Sequence, residues 1–335
     1  MRMRWALIGA STIARQYMVG AIRAGHGEIS HVLSASAERA GTFAAAHHIP
    51  NFGSDLEEIL ADPDIDAVYI STTNEKHLSQ AFAAVKAVKH VLCEKPLALT
   101  LEDAVAMVRA ADEAGVVFAT NHHLRCSGSH RAVRALIASG RIGRVLSLRL
   151  HHAVHLPPHL QGWRINAPDA GGGVIPDITV HDADVARFLL GEDPVAVVAQ
   201  MASSGLGEGV EDSAMSVWTM PSGAMVMSHE SFTHPFAGSG LEVHGTDGSI
   251  FARDVMTQNP IGLVDLVTAS GREAIEFEKH DLYEEGVRRF HAAVAGEGEP
   301  AATGLDGVKS LAVALAVRDA AIRGVRVDVN YGGLV

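Results

Sequence analysis

Arg4-Trp5-Ala6-Leu7-Ile8-Gly9-Ala10-Ser11-Thr12-Ile13-Ala14 is the stretch that decides the fold. Residues 4–8 form a short apolar run that ends in glycine, and 12–24 then carry helical spacing through Ile13, Tyr17 and Ile22. A strand, a tight turn and a helix in immediate succession place free helix N–H groups where they can hold a diphosphate. Ser11 replaces the second glycine of G-x-G-x-x-G/A, and Ala14 fills the third position. Taken alone, the loop therefore also fits an ordinary strand-turn-helix.

The chain downstream narrows the choice. Strands are expected near 28–34, 67–70, 90–93 and 116–120, with helices near 37–47, 76–87 and 101–114. Alternation of this kind predicts a parallel sheet with right-handed crossovers. Near-continuous apolar strands such as Ala67-Val68-Tyr69-Ile70 suit a sheet covered on both faces. The rhythm changes near residue 123. A helix at 128–139 and a long strand at 144–154 are followed by near-consecutive strands from about 195 to 278, separated by turns such as Pro221-Ser222-Gly223. Helices at 284–295 and 304–322 close the chain. The expected fold is α/β: a doubly wound Rossmann domain over 1–123, then an α+β substrate domain over 124–335 with a large, mainly antiparallel open sheet. That sheet could serve a homo-oligomer, or the chain could be a monomer.

Composition agrees with this plan. A length of 335 residues suits two domains, and 47% hydrophobic residues supply their cores. A net charge of −12 argues against nucleic acid as partner. Two cysteines, Cys93 and Cys126, make no disulfide framework, so a cytoplasmic setting is expected. The apolar run before Gly9 is too short for a secretory signal, and no run is long enough for a membrane span.

The second strand bears on cofactor choice. An acid there usually holds the ribose 2′-OH of NAD. Here it ends Leu33-Ser34-Ala35-Ser36, and Arg39 follows. A hydroxyl and a guanidinium suit a 2′-phosphate, so NADP(H) is expected.

Two further patterns carry chemistry. Cys93-Glu94-Lys95-Pro96 ends the fourth strand, the edge where open α/β sheets bind ligands. Gly171-Gly172-Gly173-Val174-Ile175-Pro176-Asp177-Ile178-Thr179-Val180-His181-Asp182-Ala183-Asp184 is the second. On a helix over 177–187, Asp177, His181 and Asp184 share one face. Histidine moves protons near neutral pH, and a neighbouring carboxylate orients it. Each pattern also has a plainer reading, as a solvated lysine and a core histidine. Histidines 122, 123, 151, 152, 155, 159 and 181 crowd together, but no H-E-x-x-H or Cys/His spacing accompanies them, so no metal is expected.

With these anchors in order, the chain resembles the Gfo/Idh/MocA oxidoreductase family over nearly its whole length. Thr179 stands where many members have glycine. The segments 71–75, 120–125 and 156–164, the last reading Leu-Pro-Pro-His-Leu-Gln-Gly-Trp-Arg, point to a subfamily that reduces a sugar-derived ketone with NADPH. The resemblance implies Gly9, Ala10, Ser11, Thr12 and Ile13 at the pyrophosphate, with Ser34, Ala35 and Arg39 at the 2′-phosphate. It places Thr72, Thr73, Asn74 and His77 along the cofactor, and Glu94, Lys95 and Asn121 at its nicotinamide end. Trp163, Arg164 and Tyr283 are implied as further cofactor contacts. Lys95, Asp177 and His181 are implied at the substrate, with His181 as the acid. A sugar or inositol dehydrogenase of the same family and a silent NADP(H)-binding sensor are the alternatives.

Overall fold

A computed structural model describes residues 2–333. It divides into two compact units, one of residues 1–123 with Asp281–Val308, the other of Leu124–His280 with Lys309–Val335. From the sequence, 281–308 are expected to belong to the second domain. The structure instead counts this stretch with the first unit. The cause is apolar: Trp5 is wholly buried, its ring centroid 5.1 Å from that of Phe290, and Val287 lies against Gly25.

The first unit holds a six-stranded parallel sheet. Its strands are β1 (Arg4–Ile8), β2 (Glu28–Leu33), β3 (Asn51–Gly53), β4 (Ala67–Ile70), β5 (His90–Cys93) and β6 (Phe118–Thr120), in the order β3-β2-β1-β4-β5-β6. The reversal at β1 creates the crevice where such sheets bind dinucleotides. Its helices are α1 (Val19–Ala24), α2 (Ala37–His47), α3 (Leu56–Leu60), α4 (His77–Lys86) and α5 (Leu101–Ala114). Local signals fix several ends. Ser36 caps α2 by accepting from the Arg39 amide, and Thr100 caps α5 by accepting from Asp103. Gly115, in the left-handed region, ends α5. All four residues of β4 are buried, as its unbroken apolar run requires.

The second unit begins with α6 (Gly128–Ala138) and β7 (Val145–Ala153), then α7 (Trp163–Asn166) and α8 (Val180–Leu190). Its strands continue with β8 (Ala196–Ala202), β9 (Ser213–Thr219), β10 (Met225–Ser231), β11 (Ser239–Gly245), β12 (Gly248–Arg253), β13 (Leu263–Thr268), β14 (Gly271–Ala274) and β15 (Val327–Asp328). These nine strands form one sheet in the order β14-β13-β12-β11-β7-β10-β9-β8-β15. It is mainly antiparallel, but β7 and β10 at its centre run parallel. One face packs on α6 and α8, and strand residues alternate accordingly: β9 buries Ala214, Ser216 and Trp218 and exposes Met215 and Val217. Helices α9 (Leu282–Val294) and α10 (Gly304–Arg323) lie between β14 and β15 in the chain; the short β15 is not expected from the sequence.

Candidate active site

In the first unit the carboxyl ends of β1, β2, β4 and β5 carry the expected residues. Gly9 has φ +124°, and a Cβ there would sit 3.0–3.1 Å from the Ser71 backbone and hydroxyl. Only glycine keeps this turn tight. Ser11 compensates for the missing second glycine. Its Oγ accepts from the Ala14 amide at 3.1 Å and donates to Ser71 Oγ at 2.8 Å, which ties the loop to the end of β4. Beyond it the backbone winds through a π turn, Ala14–Met18, before α1 begins; the sequence reading expected one uninterrupted helix there. Arg39 reaches across from α2, and its Nη2 donates to Ala10 O at 3.4 Å. The guanidinium therefore lies at the glycine turn, and Ser34 is buried at the end of β2. A turn that excludes side chains, with a cation beside it, fits the phosphates of a dinucleotide.

Thr72 donates to Gln80 Oε1 at 2.7 Å, and Thr73 donates to Glu75 Oε1 at 2.6 Å. His77 is fully buried, with Nδ1 2.9 Å from Pro96 O and Nε2 3.3 Å from Thr72 O. Burial lowers its pKa, so the ring is neutral and has one hydrogen to give. With that hydrogen on Nδ1, the shorter contact, it ties the start of α4 to Pro96 O in the Lys95-Pro96 turn, whose peptide bond is cis. His77 thus supports the expected cofactor residues from inside the fold.

Glu94 is a shared acceptor. Tyr69 Oη donates to its Oε1 at 2.5 Å, and Asn121 Nδ2 donates to the same atom at 2.6 Å. Burial raises the Glu94 pKa against these two donors. Asn121 is held in turn by its amide, which bonds Cys93 O at 2.8 Å. Tyr283 is buried between Tyr17 and His123, with ring centroids 4.7 and 5.1 Å away, both stacked. Sequence reasoning missed Tyr17, Tyr69 and Ser71. A tyrosine inside a wholly apolar strand was the available signal, because its hydroxyl needs a partner.

In the second unit the glycine-rich stretch leads into a π turn, Ile175–Thr179, which runs into α8. Gly173 has φ +117°, and a side chain there would strike the Glu211 carboxylate. Glu211 Oε1 accepts from the Ile175 amide at 3.1 Å and so positions the turn. The wider turn departs from the regular helix expected over 177–187. Asp184, the third residue of the expected stripe, has its charge taken up by another side chain. It is buried and paired in two-pronged fashion with Arg125, Nε to Oδ2 at 2.8 Å and Nη2 to Oδ1 at 2.7 Å. Asp177 pairs with Arg164, Nε to Oδ2 at 3.3 Å, and that guanidinium lies 4.7 Å over the Trp163 ring. His181 is buried at 6% exposure, its ring centroid 6.3 Å from that of His152. Among the described residues, no group of three or more His, Cys, Asp or Glu is placed to hold a metal ion. No helix among them is long and apolar enough to cross a membrane.

A doubly wound dinucleotide unit joined to a large open sheet defines a class of oxidoreductase. Residues 3–122 match the oxidoreductase family with an NAD-binding Rossmann fold, and 130–251 match the Gfo/Idh/MocA C-terminal domain. The chain belongs to the Gfo/Idh/MocA oxidoreductase family. It is 54% identical to 1,5-anhydro-D-fructose reductase of Ensifer adhaerens, across 98% of this chain and 99% of that one. It is 30% identical to myo-inositol 2-dehydrogenase of Thermotoga maritima, across 79% and 80%. A crystal structure of aldose-aldose oxidoreductase from Caulobacter crescentus complexed with glycerol superposes with TM-score 0.90 at 26% identity. It covers 98% of this chain and 100% of that one.

Proposed function

We propose that this enzyme reduces the C2 ketone of 1,5-anhydro-D-fructose to 1,5-anhydro-D-mannitol with NADPH. The observation that carries the reading is the 54% identity to a reductase of that ketone over 98% of the chain. Ser34 and Arg39, in place of an acid, support NADPH. When bound, the reduced nicotinamide supplies the hydride. The chain supplies the rest. His181 gives its proton to the carbonyl oxygen as negative charge develops there. The Lys95 ammonium stabilises the same oxygen. Asp177, paired with Arg164, orients the sugar hydroxyls. Hydride and proton together complete the alcohol.

The test is NADPH oxidation with this ketone. Lys95→Ala and His181→Ala are each expected to lower kcat by roughly 10²–10⁴-fold. Turnover near wild type in both variants overturns the assignment.

A further inference from the structure

The parallel register of β7 and β10 sets His152 beside Glu230, and α8 packs on β7. In the first turn of α8, Asp182 brings its Oδ1 within 3.1 Å of His152 Nδ1. Ser228 Oγ lies 2.9 Å from Asp182 Oδ2 and 2.6 Å from Glu230 Oε1. Asp182, Ser228 and Glu230 have no solvent exposure, and His152 retains 8%.

Counting hydrogens decides the charge state. Ser228 owns one hydroxyl hydrogen yet makes two short contacts with carboxyl oxygens. If both carboxyls were ionised, one contact would set lone pair against lone pair. One carboxyl therefore carries a proton and donates it to Ser228 Oγ. Burial, then the charge of Asp182, pushes the Glu230 carboxyl well above the ordinary range. Glu230 is the protonated partner. It donates to Ser228, Ser228 donates to Asp182, and Asp182 accepts from His152 Nδ1–H. One negative charge remains, on Asp182, and the His152 tautomer is fixed.

We propose that His152 and Asp182 are positioning residues for His181: the chain holds one buried negative charge near the proton-donating imidazole, whose ring centroid lies 6.3 Å from that of His152, and Glu230 keeps that charge at one. This rests on the reading of His181 as proton donor and deepens it. The chain is not a proton supply: Ser228 and His152 both donate to Asp182, so no hydrogen can pass through Asp182 to an Nδ1 that already carries one. The neighbouring groups do not supply the charge. His130, on α6, and His229, on β10, are both held neutral by burial. His229 feels His234 and His151, which lower its pKa further, and Asp182, which opposes them. Asp184 is matched by Arg125 and Arg187, and Asp177 by Arg164.

The experiment compares wild type, Asp182→Asn and Glu230→Gln, all nearly isosteric. Imidazole titrations of His152 and His181 are followed by NMR, and the alkaline limb of kcat is measured beside them. Asp182→Asn removes the charge, so the His181 titration and the alkaline limb move down by on the order of one pH unit. Glu230→Gln replaces one neutral donor by another and moves neither. Infrared spectra of wild type at pH 8 show a protonated-carboxyl stretch that Glu230→Gln abolishes. That arm does not depend on Asp182→Asn folding. An unmoved His181 titration in Asp182→Asn, or absence of the band, overturns the proposal, as does a shift in Glu230→Gln as large as that in Asp182→Asn. If the ketone is not turned over at all, the reductase reading fails, while the titrations still decide the role of the chain.

Discussion

His130 shows how one buried side chain ties stability to pH. It is 1% exposed, and burial, then the neighbouring His152, lower its pKa to about 4 against the pull of Asp184. The unfolded chain takes up this proton near pH 6.5, and the folded chain only near 4. Stability is therefore complete above pH 6.5 and declines as pH falls towards 4, by at most about 3 kcal/mol. Urea midpoints from pH 7.5 to 4.5 should show a smaller decline in His130→Asn than in wild type. Arg39 offers a second test at this scale. Its removal should raise KM for NADPH roughly 10–100-fold and leave NADH nearly unchanged, since only NADPH carries the 2′-phosphate. Equal losses with both cofactors would show that Arg39 only braces the Ala10 turn. Residues that act through neighbours in sequence were legible: Gly9 and Lys95 announce a turn and a strand end. Asp184 was not, because its partner Arg125 lies fifty-nine residues away.

At the scale of elements, the β8–β9 connection depends on one carboxylate. Asp212 accepts from the amides of Ser204, Gly205, Leu206 and Gly207 at 2.7–2.9 Å, and from the Ser204 hydroxyl at 2.6 Å. Burial works to raise its pKa, but the Ser204 hydroxyl and these amides hold it down at about 2. Its contribution is thus present above the ordinary carboxylate range and lost as pH falls through about 2. Asp212→Ala should cost about 3 kcal/mol at pH 7, by stranding several donors. Hydrogen exchange should speed up at 204–207 before it does so in the strands. A uniform change across the sheet would contradict that local role. Most elements were readable because hydrophobic period and capping agree; α2 and α5 lie where expected. The two π turns were not, because five residues are too few to separate one helical period from another. The short β3, its Asn51 and Phe52 exposed, has no apolar pattern, and α3 shows one for barely more than a turn, at Leu56, Ile59 and Leu60.

For the whole molecule, the alternation of strands and helices up to residue 120 was enough to read the parallel sheet, and the turn-separated strands after 195 the open one. The single parallel pairing of β7 with β10 was not legible, since alternation along a strand does not name its neighbour. Nor was the return of Asp281–Val308 to the first unit, which rests on packing between residues nearly three hundred positions apart. A fragment of residues 1–123 should therefore unfold without a sharp transition and bind a hydrophobic dye. Linking 281–308 to it should restore cooperative melting; a fragment that melts sharply alone would show the return to be dispensable.

Trp5 lies in a strand made well before Phe290 and His291, which receive it. At 5–20 residues per second, the nascent chain carries an unfinished dinucleotide unit for roughly 10–30 s while the second sheet is synthesised. Throughout that interval the indole has no protein ring to pack on, so newborn chains are the form most dependent on chaperones. Messages cut short after the open sheet would yield proteins whose visible damage lies at the far end of the sequence, in the unit translated first.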